Sequence, residues 1–163
     1  MRSHIKQFET WLSEAVTEAS PSEIQNLLGL AVPIIKKAVD DTMRFELDYA
    51  KKLKDAKTDI ERTRLFNELN EKRSQAEEPI TQFLTMKAKM SQTQLEKVMA
   101  WSKSMKSFLI DKKMSAMEDE FKEAGADVSR WKELYNPSVI NNEILKRNQR
   151  FEQEMGVKPP LVS

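Results

Sequence analysis

Cysteine is absent from the 163 residues, and His4 is the only histidine. Disulfide frameworks, zinc sites of the usual Cys/His kind, thiol nucleophiles and histidine general bases are excluded together. Glycine is nearly as scarce: Gly29, Gly125 and Gly156 are too few and too scattered to compose a phosphate-cradling loop. No Gly-x-Ser-x-Gly nucleophile elbow is present either, so neither a cofactor nor an enzymatic activity is expected. Long apolar runs are missing as well. The best, Leu27 to Ile35, is nine residues long and carries Pro33, against the roughly 18–20 needed to cross a bilayer. Glu9, Glu14 and Glu18 interrupt the first twenty residues, so secretory export is not expected, and a cytoplasmic location is the default. Neither sign of charge dominates: 27 basic and 26 acidic residues leave a net charge of +1, too small a field to draw the whole chain to nucleic acid or acidic lipid.

What remains is charge-rich (33%) with 39% hydrophobic residues, the composition of long amphipathic helices. Ile24, Leu28, Ala31, Ile35, Ala38, Thr42, Phe45 and Tyr49 recur at alternating spacings of four and three, a coiled-coil-like seam introduced by Ser20-Pro21. Thr58 followed by Glu61 has the pattern of a capping box, and the short connection before it predicts an antiparallel neighbour bearing Leu65, Leu69, Ala76, Ile80 and Phe83. Pro79 is expected to bend or break that helix. Ser91 with Gln94 starts a third long helix, read as running to Ala124 with Gly125 as its stop. Asp127 is read as the cap of a short helix holding Val128, Trp131, Leu134 and Tyr135. Asn136-Pro137 opens a last helix through Ile140, Ile144, Leu145 and Phe151 to Gly156. The fold predicted is an all-α helical bundle dominated by a long antiparallel hairpin with shorter C-terminal helices. Residues 1–20 form an amphipathic targeting or docking helix with a hinge, 21–156 the bundle, and 157–163 a flexible tail.

Carboxylates are plentiful but unsuited to a di-iron bundle, which needs helix-borne Glu-x-x-His pairs, so no metal site is expected. The most distinctive chemistry lies between Met86 and Met117, where seven lysines face only two acids and six methionines are interspersed. Such a stretch either fills an irregular core with its methionines while its lysines face water, or presents a basic, adaptable surface to a partner. The residues that would carry the second role are Met99, Trp101, Lys103, Met105, Lys106, Phe108, Lys112 and Lys113.

Near the N-terminus, Lys6-Gln7-Phe8-Glu9-Thr10-Trp11-Leu12-Ser13-Glu14-Ala15 carries lysine, two aromatics, leucine and then Glu-Ala. This pattern resembles the capsid-targeting sequence of internal head and prohead-core proteins of T-even-type bacteriophages. In that family the segment directs a protein into the assembling head. The prohead protease then cuts after a glutamate that has Leu or Ile two positions before it and Ala or Gly after it. The resemblance therefore implies cleavage between Glu14 and Ala15, with Lys6, Phe8, Trp11 and Leu12 as targeting residues. It also implies a location in the virion interior and then the host cytoplasm, and protein partners in the capsid core and in the host. Of the three Glu-Ala dipeptides, at 14, 18 and 123, only the first has Leu or Ile in the required place.

Two other functions fit the same residues. One is a cytoplasmic coiled-coil adaptor or chaperone, a homo-oligomer paired along the 24–53 seam. The other is a membrane-active helical protein that lays its basic, Met-rich helix on lipid. Nucleic-acid binding would be weak and local.

Overall fold

The computed structural model describes residues 18–87 and 89–162, and among these the chain forms helices and no strand. Helix α1 (Pro21–Asp55) is 35 residues, about 50 Å at 1.5 Å per residue. It starts where the sequence predicts: Ser20 Oγ accepts from the Glu23 amide at 3.2 Å, and Pro21 takes the first helical position, where a missing N–H costs nothing. Three residues later α2 (Asp59–Lys87) returns, opened by Thr58 Oγ1 accepting from the Glu61 amide at 3.1 Å while the Glu61 carboxylate reaches back to the Lys57 amide. The pairing is antiparallel. Glu46 meets Arg73, Tyr49 meets Glu68, and the Ala56 carbonyl meets Arg62, so one set of positions falls as the other rises.

Helix α3 (Gln92–Ala116) runs alongside α1 in the same direction, since its start lies at Ala19 and its end at Asp40. Both halves of its predicted capping box form, between Ser91 and Gln94. Gln94 does more than cap. Its Oε1 accepts from the Ala19 amide at 2.9 Å and its Nε2 donates to the Ala19 carbonyl at 2.9 Å, a buried clamp between residues 75 positions apart. At Met117 (φ −102°, ψ 18°) the helix breaks into a short α4 (Glu118–Glu123), so the single helix expected to Ala124 is divided there. The stop at Gly125 is as expected: its φ of 95° lets the Ala126 amide reach the Phe121 carbonyl and the Gly125 amide the Lys122 carbonyl, satisfying the last turn.

Asp127 does not cap the next helix. Its carboxylate accepts from the Ser129 amide and hydroxyl, forming a turn, and α5 (Trp131–Leu134) is a single turn that follows without a side-chain cap. Helix α6 (Pro137–Met155) begins at Asn136 and ends at Gly156 in the left-handed region, as read, but Leu145 of its expected stripe is exposed.

Among the described residues two hydrophobic cores result. The larger joins Leu28, Ile35 and Val39 of α1 to Ile80 and Leu84 of α2, Val98, Trp101 and Met105 of α3, and Ile140, Ile144 and Phe151 of α6. The smaller fills the far end of the hairpin with Tyr49, Ala56, Leu65 and Leu69, flanked by Phe45 and Leu53. Arg73 binds both oxygens of Glu46 between the two helices, a forked geometry that specifies their register.

Helix α2 is continuous through Pro79, as α1 is through Pro33, so of the bend or break expected at Pro79 the break does not occur. Both prolines and the residues four positions before them, Gln75 and Gly29, are exposed, so water can satisfy the carbonyls that lose their partners. The residues after Gly156 are not a loose tail, which corrects that expectation: Val157 and Val162 join the larger core at 2% and 4% exposure, and Pro159 is buried beside them in sequence. The seam from Ile24 to Tyr49 is likewise consumed inside the chain. Apart from the half-buried Phe45, its members are buried among the chain's own helices.

Candidate partner-binding groove

The helical phase of α3 divides the eight candidate contact residues. Trp101 and Met105 point into the larger core at 2% and 1% exposure, while Met99 and Phe108 are half-buried against it. Trp101 and Met105 are packing residues, which corrects the expectation that they form a contact surface, while Met99 and Phe108 keep part of their surface exposed. Trp101 is anchored further by donating from Nε1 to Asn148 Oδ1 of α6 at 3.0 Å, with the Phe151 ring 6.0 Å away.

Lys106 is the more surprising correction. It is only 8% exposed, and burial holds its ammonium below the ordinary lysine pKa, with the carboxylate of Glu77 across on α2 opposing that shift. A lysine whose pKa is lowered on folding binds fewer protons in the native state than in the unfolded chain. It therefore penalises the fold at neutral pH and is relieved as pH rises towards the ordinary value. Lys106→Met, which keeps the apolar stem and removes the charge, is expected to hold or raise stability by about 1 kcal/mol at pH 7. It should also flatten the alkaline rise of the parent. Thermal melts of both proteins at pH 7 and pH 10 check this, and a variant melting well below the parent at pH 7 would count against it.

Lys103, Lys112 and Lys113 do reach solvent to differing degrees. Lys112 and Lys113 line a groove of about 310 Å³ with Leu109 and Ala116 of α3 and Lys36, Val39 and Asp40 of α1. Lys113 is ion-paired with Asp40, so of three rim lysines one is neutralised, and Lys36 and Lys112 have no ion-pair partner among the described residues.

 The rim of the groove is net basic, with Lys36, Lys112 and Lys113 against Asp40, while Val39 and Leu109 at its floor are nearly fully buried in the larger core. Lys36, Val39 and Asp40 could not be assigned to this groove from the sequence, because α1 and α3 come together only in the folded chain.

The rest of the basic stretch is not one surface. Lys97 pairs with Glu154 of α6 at 3.4 Å, and Lys106 is turned inward. On α3, burial also raises the Asp111 carboxyl above the usual aspartate range. Burial raises the Tyr135 hydroxyl too, with help from the carboxylates of Asp111 and Glu46. Among the described residues no cluster of His, Asp or Glu has the arrangement to hold a metal ion, and no helix is long and apolar enough to cross a membrane. The targeting and processing residues Lys6, Phe8, Trp11, Leu12, Glu14 and Ala15 lie outside the described residues. No family model, curated protein or solved structure matches the chain.

Proposed function

We propose that this chain is a non-enzymatic helical binding protein, similar to phage internal head proteins, that is packaged in the capsid after loss of residues 1–14. It is then delivered with the DNA and acts in the host by occupying a defence protein. The observation that carries the reading is the run from Lys6 to Ala15, with Leu12-Ser13-Glu14-Ala15 set just before the bundle. A protease needs an extended substrate, and a short amphipathic helix of the kind expected from the sequence before Ser20-Pro21 would open at lower cost than a long packed one. The α1–α3 groove, with Lys36, Lys112 and Lys113 at its rim, is the surface offered to an acidic segment of the host protein.

Intact mass and N-terminal sequencing of the protein from its native source test the proposal. A chain beginning at Ala15 is expected in particles. A chain beginning at Met1 in every fraction would overturn the processing step and reduce the N-terminal run to an ordinary amphipathic segment.

A further inference from the structure

The basic groove between α1 and α3 has an acidic neighbour. Ala116, the last residue of α3, lines the groove, and α4 opens two residues later with Glu118, Asp119 and Glu120, followed by Glu123. Helix α4 lies farther along α1, towards the hairpin turn: Lys113 of the groove pairs with Asp40, whereas Lys54 reaches the Glu123 carbonyl. The two regions are therefore set out in line along α1, basic around Lys36 and Lys112 and acidic beyond. Lys36 and Lys112 are without an ion-pair partner among the described residues, and so are the four acids of α4. Asp119, Glu120 and Glu123 are exposed, and Lys54 and Lys122 offset only part of their charge.

We infer that a second copy of the chain pairs here, the basic groove of each protomer taking the acidic α4 of its partner. Two regions of opposite sign set in line are self-complementary about a twofold axis: an antiparallel copy brings each groove against the other's α4, and the same attraction is made twice. Within one chain they cannot meet, because Phe121 seats α4 in the larger core and Lys54 holds its end. The layout also selects against nucleic acid. A long polyanion leaving the groove towards the hairpin turn runs onto the carboxylates of α4, whereas a partner whose own charge reverses along its length does not. A contact made by surface charges is sensitive to salt, which gives the pairing a direct signature.

The inference goes beyond the proposed function: it gives the groove an occupant before any host protein is met, and it holds whether or not the N-terminal run is cut. Pairing is read as mass in solution and processing as the native N-terminus, so either can fail alone. Sedimentation velocity of the full chain up to about 500 μM, at about 0.05 M and about 0.5 M salt, measures the pairing. A closed dimer at low salt that dissociates at high salt is expected. Lys36→Glu/Lys112→Glu and, separately, Asp119→Lys/Glu120→Lys should each weaken it at least about 10-fold, because each sets like charges against one another. Mixed in equal amounts, the two variants should pair again to within about 3-fold of the parent, since reversed groove then meets reversed α4 and native groove meets native α4. Recovery on mixing is a result that misfolding cannot produce. A monomer under all conditions, a dimer that either variant leaves intact, or a mixture that stays monomeric would overturn the inference. Growth beyond two copies would do the same, by showing a head-to-tail contact in place of a closed pair.

Discussion

Trp101→Ala should lower the unfolding free energy by about 3–5 kcal/mol, the range for removing a large buried aromatic. Trp101 is 2% exposed and sits where α3 meets α6. Its removal opens a cavity between the two helices, takes a ring away from Phe151, and deprives Asn148 Oδ1 of its donor. Asn148 Nδ2 is already buried without a hydrogen-bond partner among the described residues, so the amide would be left with neither end satisfied. For a chain of this size the loss corresponds to a fall in Tm of about 10 °C. Denaturant unfolding followed by circular dichroism measures it. Trp101→Phe should recover most of the loss by refilling the space, leaving the cost of the missing hydrogen bond, about 1 kcal/mol. A loss below about 1 kcal/mol for the alanine variant would mean that α6 is not held through this contact.

Ile35→Asp is expected to be more damaging still. Ile35 has no exposed surface and lies midway along the part of α1 that faces the larger core. A carboxylate placed there either remains charged without a partner or takes up a proton, and both routes cost several kcal/mol on top of the lost apolar contact. Set against the roughly 5–15 kcal/mol by which domains are stable, this is enough to leave much of the population unfolded at 37 °C. Ile35→Val, which removes one methylene, should cost only about 1 kcal/mol and shows whether the effect comes from charge or from shape. A normal melt for the aspartate variant would place Ile35 outside the core.

The helices themselves were readable because their signals are local. Ser20-Pro21, Thr58 with Glu61, Ser91 with Gln94, and Asn136-Pro137 mark four starts through bonds made within one turn, and Gly156 marks a stop through its own backbone. The period of the apolar stripe likewise placed Ile24, Leu28, Ile35 and Thr42 inside. What was not readable depends on who packs against whom. Lys106 has the same local surroundings as Lys103, yet one is buried and the other exposed, and only the position of α2 decides between them. Val157 and Val162 look like residues of a Pro-rich tail until a core exists for them to join. The groove of Lys36, Lys112 and Lys113 is composed across more than seventy residues of sequence, so no motif announces it.

The Gln94 clamp also has a mechanical side. A side-chain amide that accepts from and donates to the same backbone residue imitates the pairing of two strands, with two bonds side by side. Tension that reaches Ala19 from the N-terminal side, from a threading protease or a translocation pore, meets two bonds that share the strain and pass it into the start of α3 as well as into α1. Resistance to unravelling past this point therefore draws on one glutamine of a different helix.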